Sequence, residues 1–166
     1  MSADFRCLYR LQLGPDLTFA DARRLVPYLR DLGVSHLYLS PSLQARPGST
    51  HGYDVVDPTR VSDELGGEDE LRALCREAPG VVLDIVPNHM AADEANPFWP
   101  DPKVFDVDPE SGWHRRFFTI DELAGVRLDD AEVVETSHRK VLELVGEGLL
   151  DGVRVDHPDG LANPRE

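Results

Sequence analysis

Short apolar runs recur at four places along the chain and predict four strands. Residues 6–13 (RCLYRLQL) alternate apolar and polar side chains up to a Gly-Pro pair, which is typical of a strand and its end. Residues 34–40 (VSHLYLS) form a second run before a proline, and residues 152–155 (GVRV) form the last. Residues 81–87 (VVLDIVP) are almost continuously apolar, as in a strand covered on both faces, and this favours a parallel sheet.

Helical spacing fills the intervals between these strands. Thr18, with Asp21 three residues on, predicts a capped helix that ends at Gly33. Its apolar stripe is Ala22, Leu25, Val26, Leu29 and Leu32. A second helix is predicted to begin at the acidic residues 68–70, because negative charge suits the exposed N–H groups of a helix start. A third helix is predicted over 131–147. Its apolar side carries Val134, Val141, Leu142 and Val145.

The remaining segments are predicted to be mostly irregular. A long polar loop follows the second strand, and residues 96–118 have four prolines and no clear period. Thr119 and Glu122 have the spacing of a capping box and predict a short helical turn. The alternation of strands and helices predicts an α/β fold of right-handed crossovers, and a length of 166 residues fits one domain.

Charge and cysteine content narrow the class of protein. The net charge of −14 disfavours nucleic acid and anionic membrane surfaces as partners. The start of the chain lacks the pattern of a signal peptide, so we expect a cytoplasmic protein. Cys7 and Cys75 have no disulfide or metal spacing and are interpreted as reduced thiols.

The last predicted strand carries the first candidate chemistry. Arg154 and Asp156 are two positions apart, so their side chains lie on the same face of a strand and can touch. A neighbouring guanidinium favours the ionised carboxylate, which is the form that acts as a nucleophile. A buried structural salt bridge is the alternative interpretation of the same spacing.

Two other predicted strands end in polar groups as well. Asp84 lies in the third strand, and His89 follows it after a proline. Tyr53 follows the second strand and offers a ring for stacking on a sugar, with Asp54 and Asp57 as hydroxyl acceptors. An ordinary turn and a structural histidine remain open alternatives. The other histidines considered, His36, His114 and His138, lack metal-ligand spacing.

Six motifs in order resemble the α-amylase superfamily of retaining glycoside hydrolases (glycoside hydrolase family 13), most closely the maltooligosyltrehalose synthases. They are YRLQL (9–13), residues 28–60 ending in STHGYDVVDPTR, ELGG (64–67), LDIVPNHM (83–90), RRFF with ELAGVR (115–127) and DGVRVDHPDGLANP (151–164). The resemblance implies a TIM-barrel catalytic domain and conversion of the reducing-end α-1,4 link of a maltooligosaccharide into the α,α-1,1 link of trehalose.

The resemblance also implies a role for each matching residue. Asp156 is the nucleophile and Arg154 keeps it ionised. Asp84 supports Arg154, and Tyr53 stacks on the sugar ring at the cleaved bond. His89 binds a sugar hydroxyl. 

Further implications concern the neighbouring sugar site and the cofactors. His157 is expected near the next sugar, and the substrate is expected to be a maltooligosaccharide or α-glucan. No organic cofactor is expected. Asn88 matches a calcium-holding position of some amylases, but nothing here completes a metal site.

The family's second catalytic carboxyl group comes from a fifth strand, whereas this chain is expected to stop after the fourth. A closed barrel seldom has fewer than about 200 residues, so we expect a half-barrel of four strand–helix units with a shortened insertion after the third strand. Residues 1–166 then form one truncated barrel domain. Glu94, Glu110, Glu122 and Glu166 are candidate substitutes for the acid, but the sequence places none of them beside Asp156.

Three interpretations remain open. The chain is a piece of a trehalose-forming enzyme, a shortened relative that binds α-glucans, or an assembly module. Phe98, Trp99 and Trp113 are further candidate stacking surfaces. Because four strands leave two open sheet edges, we expect a homodimer or another association through these edges.

Overall fold

The computed structural model describes residues 4–160, and its centre is a four-stranded parallel sheet. In chain order the elements are β1 (Leu8–Leu11), α1 (Phe19–Asp31), β2 (His36–Leu39), β3 (Leu43–Ala45), β4 (Val55–Val61), α2 (Gly67–Glu77), β5 (Val81–Ile85), β6 (His89–Ala91), β7 (Arg116–Phe117), β8 (Ile120–Gly125), α3 (Ala131–Gly146), β9 (Gly152–Val155) and a 3₁₀ turn (Pro158–Gly160).

The parallel sheet has the order β1-β2-β5-β9, with every neighbouring pair parallel. Over the described residues it does not close on itself, so the structure confirms the predicted α/β half-barrel. All five residues of β5 are buried, as expected for a central parallel strand. The four predicted strands and three predicted helices are all present, with ends shifted by a few residues.

The start of α1 follows directly from its sequence. The Thr18 side chain accepts a hydrogen bond from the Asp21 backbone N–H, and the Asp21 carboxylate accepts one from the Thr18 N–H. This is the predicted capping box, which satisfies N–H groups that the helix leaves without partners.

The predicted polar loop after β2 is wrong in part, because it contains the antiparallel hairpin β3–β4. Two register shifts break the regular pairing of this hairpin, so the sequence lacks a clean alternation. The hairpin places Tyr53 in the connection between its two strands. Gly52, with a φ of 80°, lies where an added Cβ would be 2.6 Å from the Pro41 carbonyl oxygen.

A second antiparallel sheet, in the order β6-β8-β7, lies within the segment predicted to be irregular. The predicted helical turn at Thr119 and Glu122 is wrong, since residues 120–125 form β8. Residues 120–125 are extended because they form backbone hydrogen bonds with β6 (His89–Ala91) in an antiparallel sheet. Local capping signals carry no information on such a partner.

The two outer helices bury only part of their predicted apolar stripes. Leu25 of α1 and Leu32, which follows the last residue of α1, are exposed, and so are Val134, Leu142 and Val145 of α3. These residues lie on or next to the helices that follow β1 and precede β9, the two edge strands of the parallel sheet. The helix faces that pack in the core are Phe19, Ala22, Val26 and Leu29 in α1 and Val133, Val141 and Leu144 in α3.

No helix within the described part of the chain is both long and apolar enough to span a bilayer.

Candidate active site

Arg154 and Asp156 meet at the carboxyl end of β9, as their spacing predicts. One guanidinium nitrogen, Nη1 of Arg154, donates to Asp156 Oδ1 at 2.5 Å and to Asp84 Oδ1 at 3.0 Å. Arg154 lies opposite Asp84 in the register of β9 and β5, which explains how one arginine reaches both carboxylates. The three side chains therefore form one connected group across two strands.

Asp84 is the centre of the cluster. Its side chain is fully buried, and Oδ2 accepts hydrogen bonds from the Tyr53 hydroxyl at 2.6 Å and the Tyr38 hydroxyl at 2.9 Å. Arg10 Nη1 donates to the same oxygen at 3.3 Å, while Arg154 occupies the other oxygen. Four donors thus satisfy a carboxylate that would be costly to bury unpaired.

Arg10 and Tyr38 are absent from the candidates that the sequence suggests. Arg10 lies in β1 and Tyr38 in β2, and the two are paired in the parallel register. Both alternate with apolar residues in their strands, and this alternation is the available sequence signal. Identifying their target required knowing how the three strands align.

The environment of Asp84 shifts the titration of both tyrosines. Burial, followed by the hydrogen bond to Asp84, raises the pKa of Tyr38 to about 12. The same two causes raise the pKa of Tyr53 above its ordinary value. Both hydroxyls therefore remain protonated donors at neutral pH.

His89, at the start of β6, is 1% exposed, and neither ring nitrogen has a hydrogen-bond partner among the described residues. Its ring stacks on Phe117, with 3.8 Å between the centroids. Burial lowers the pKa of His89 to about 4, although the nearby Asp156 carboxylate opposes this effect. The imidazole is therefore neutral at pH 7 and offers one donor and one acceptor.

A cleft of about 330 Å³ lies beside these groups. Its lining consists of Arg46, His51, Tyr53, Asp54, His89, Phe117, Ile120, Glu122, Leu123 and Asp156. The predicted residues Tyr53, His89 and Asp156 thus line the same cleft, and Arg154 contacts both Asp156 and Asp84. Asp57 is not in this lining, and its carboxylate accepts hydrogen bonds from Thr59 and Arg60.

The candidate acids fall in different places. Glu122 lines the cleft that Asp156 also lines, a position that the sequence alone did not indicate. Glu94 and Glu110 are not among the lining residues. Glu166, together with the end of the last motif, lies outside the described residues.

His157 lies beside the cleft without lining it. Its ring is 5.1 Å from the rings of both Phe117 and Phe118, measured between centroids. Its Nδ1 is 3.3 Å from Asp159 Oδ1. The β7–β8 hairpin thereby brings an aromatic corner against two of the predicted histidines, and Phe117 is a cleft residue that sequence reasoning missed.

The lining of the cleft offers aromatic ring faces and hydrogen-bonding groups. Across the described residues, no group of three or more His, Cys, Asp or Glu is placed to hold a metal. The cleft combines aromatic rings with carboxylates and a neutral imidazole, so it presents both apolar ring faces and hydrogen-bonding groups.

Comparisons with known proteins show what this chain is similar to. Residues 23–103 match the family model described as the α-amylase catalytic domain. A putative maltooligosyl trehalose synthase from Mycobacterium tuberculosis (strain CDC 1551 / Oshkosh) is 38% identical over 239 residues, which cover 94% of this chain and 31% of the relative. The alignment is longer than the 166 residues of this chain, so the relative has segments that this chain lacks.

Solved structures agree with this relationship. Maltooligosyltrehalose synthase from Arthrobacter ramosus is 33% identical and superposes with a TM-score of 0.90, over 95% of this chain and 32% of that one. An α-amylase from Geobacillus thermoleovorans, at 20% identity and a TM-score of 0.76, shares the fold. The chain spans about a third of the length of the synthases that it matches. Over almost its whole length the chain is therefore similar to the part of the maltooligosyltrehalose synthases with which it aligns, and it shares the fold of the α-amylase catalytic domain.

Proposed function

We propose that the chain binds maltooligosaccharides in the cleft beside Asp156 and carries the nucleophile side of the maltooligosyltrehalose synthase reaction. In that reaction, the reducing-end α-1,4 link of a maltooligosaccharide becomes the α,α-1,1 link of trehalose. The main support is the convergence of Asp156, Arg154 and Asp84 at the ends of two parallel strands, with Tyr53 and His89 on the same cleft.

Each group has a defined part in the proposed chemistry. The Asp156 carboxylate attacks the anomeric carbon, and the bond from this carbon to the leaving oxygen breaks. Arg154 stabilises the ionised nucleophile. The hydrogen bond from Arg154 to the Asp84 carboxylate holds the guanidinium in place. Tyr53 stacks on the sugar ring, and neutral His89 exchanges hydrogen bonds with a hydroxyl. His157 lies toward the neighbouring sugar.

The leaving oxygen needs a proton from a second carboxyl group. In retaining enzymes this group lies roughly 5–5.5 Å from the nucleophile. We propose that the chain by itself binds without turnover, because the family places this acid on a fifth strand. Among the candidate acids Glu122 is the one that lines the cleft, so any turnover would point to it first.

Maltoheptaose is expected to bind to the chain, and Tyr53→Ala is expected to weaken binding about tenfold or more. Removal of an aromatic stacking surface typically costs about 1–3 kcal/mol, since the ring provides both area and orientation. Isothermal titration calorimetry with maltoheptaose measures the change. Tyr28→Ala is the matched control, because this tyrosine is exposed on α1.

Three outcomes separate the alternatives. A cello-oligosaccharide that binds as well as maltoheptaose, or no binding of maltoheptaose at millimolar concentration, would reject the proposal. Loss of reducing ends during incubation would show a complete catalyst, and Glu122→Gln would then be expected to abolish it. Asp156→Asn should abolish any such turnover while preserving binding.

A second candidate function is assembly through the open sheet edges. Within residues 4–160, β1 pairs only with β2, and β9 pairs only with β5. Exposed apolar side chains lie in both edge strands, Leu8 and Tyr9 in β1 and Val153 in β9. Unpaired edges with apolar flanks favour association. We propose a two-fold dimer in which β9 of each copy pairs with β1 of the other.

Light scattering is expected to give the mass of a dimer at micromolar concentration. Val153→Glu should convert the dimer to a monomer, because this exposed residue lies in the edge strand β9 and a charge would be buried at the proposed contact. Trp113→Glu, which changes an exposed aromatic residue outside both edges, should leave the mass unchanged. A wild-type chain that remains monomeric at this concentration would reject the dimer.

We also propose a cytoplasmic location. The support is that Cys7 and Cys75 are both free thiols in the structure, as in proteins of reducing compartments.

A further inference from the structure

Arg10, in the edge strand β1, contacts several residues of the candidate site. Its Nη1 donates to Asp84 Oδ2 at 3.3 Å, and its Nη2 donates to the Tyr53 hydroxyl at 3.1 Å and to Gln12 Oε1 at 3.0 Å. The guanidinium also lies 4.7 Å from the centre of the Tyr38 ring. One side chain thus contacts four polar or aromatic groups.

The Tyr53 hydroxyl is held from two sides. It donates to Asp84 Oδ2 at 2.6 Å and accepts from Arg10 Nη2. With a single hydrogen bond to its hydroxyl, a tyrosine ring can still pivot about that bond. A second hydrogen bond from another direction restricts this movement. Arg10 therefore contributes to the orientation of Tyr53 in the cleft.

Gln12 extends the same restraint to the backbone. Its side-chain Nε2 donates to the His51 carbonyl oxygen at 3.3 Å, while its Oε1 accepts from Arg10. In turn, His51 Nδ1 accepts from the Tyr53 backbone N–H at 3.0 Å. The carboxyl end of β1 is thereby tied to the segment that carries Tyr53.

The cluster is also balanced in charge. Asp84 and Asp156 contribute two negative charges, and Arg10 and Arg154 contribute two positive ones. Arg154 is shared between both carboxylates, so Arg10 is the second counter-ion that the buried Asp84 requires. Because Arg10 also neutralises Asp84, the charge of Arg154 can stabilise the Asp156 carboxylate.

We infer that Arg10 is a positioning residue that fixes the Tyr53 ring at the cleft wall through the Tyr53 hydroxyl and Gln12. The role of the Tyr53 ring in sugar binding rests on the proposed function. The effect of Arg10 on the orientation and environment of Tyr53 does not depend on that function. Arg10 acts through other residues and is not assigned a contact with the reacting atoms.

Arg10→Met is expected to weaken maltoheptaose binding about tenfold, because the freed ring must be ordered again upon binding. In a Tyr53→Phe background the same change should cost about twofold or less, since the hydroxyl through which Arg10 acts is already absent. Arg10→Lys retains the charge but lacks the planar fork, so it should not restore affinity. Arg24→Met, at an exposed arginine of α1, is the control.

A second measurement does not depend on any sugar. Burial and the Asp84 hydrogen bond raise the pKa of Tyr53, whereas the Arg10 hydrogen bond and charge lower it. With ¹³C-labelled tyrosine, NMR spectra near about pH 11 should show less ionised Tyr53 in Arg10→Met than in the wild type. Arg24→Met should leave this fraction unchanged.

The two measurements distinguish the possible failures. If wild-type protein fails to bind maltoheptaose, the proposed function is rejected, and the Tyr53 titration still decides the role of Arg10. If the Tyr53 titration is the same in wild type and Arg10→Met, the inference is overturned. Should Arg10→Met fail to fold, Arg10→Lys provides both readouts, with an expected loss of affinity and a smaller change in titration.

Discussion

Asp84→Ala is expected to reduce the free energy of unfolding by about 3–5 kcal/mol, the typical cost of removing one partner from a buried ion pair. The change would leave two guanidinium groups and two tyrosine hydroxyls without their shared acceptor. Folded domains have a total stability of only about 5–15 kcal/mol, so a large part of the molecules would be unfolded on mild heating.

Urea denaturation followed by circular dichroism measures this loss. Asp121→Ala is the matched control, because its ion pair with Arg116 is exposed and such pairs contribute at most about 1 kcal/mol. Asp84→Asn should also be strongly destabilising, since its amide NH₂ would face groups that are themselves donors. Equal losses for Asp84→Ala and Asp121→Ala would contradict the central role of Asp84.

The parallel half of the fold could be predicted because its signals are local. The continuous apolar run at residues 81–85 and the Thr18–Asp21 capping box each specify one element without reference to distant residues. The spacing of Arg154 and Asp156 likewise fixes their common face. In these cases the hydrophobic pattern and the backbone geometry favour the same structure.

The antiparallel hairpins could not be predicted, because their strands are short and depend on non-local partners. β7 has two residues and β3 and β6 have three each, which is too few for an alternating pattern. Thr119 and Glu122 have the spacing of a helix-capping box, although residues 120–125 (IDELAG) form β8. Tertiary pairing decides between the two.

From spacing alone, the contact between Arg154 and Asp156 could be predicted, whereas Asp84, Tyr53 and His89 were assigned roles only through the family resemblance. Arg10 and Tyr38 contact Asp84 because β1, β2 and β5 align in one register, and register is not readable from the separate strands. Phe117 contacts His89 because it lies in the β7–β8 hairpin, and the sequence did not predict this hairpin. The apolar stripes predicted for α1 and α3 are buried only in part, because the pattern along a helix does not show which of its apolar residues meet a partner.

His89 is expected to make the protein about 3 kcal/mol less stable at pH 4 than at pH 7, apart from other titrating groups. Its pKa in the folded state is about 4, below its ordinary value of about 6.5, because burial disfavours the charged ring. Between these two pH values the unfolded chain binds more protons than the folded one. The stability contribution is therefore complete above about pH 6.5 and is lost progressively as the pH falls toward 4.

The comparison of wild type with His89→Phe isolates this contribution. Phenylalanine preserves a ring beside Phe117 but cannot titrate, so urea midpoints of the variant should fall less steeply between pH 7 and pH 4. His138→Phe, at a partly exposed histidine of α3, should retain the wild-type slope. If wild type and His89→Phe have parallel pH profiles, His89 is not the buried neutral imidazole described above, and its proposed hydrogen bonding to a sugar hydroxyl loses its physical basis.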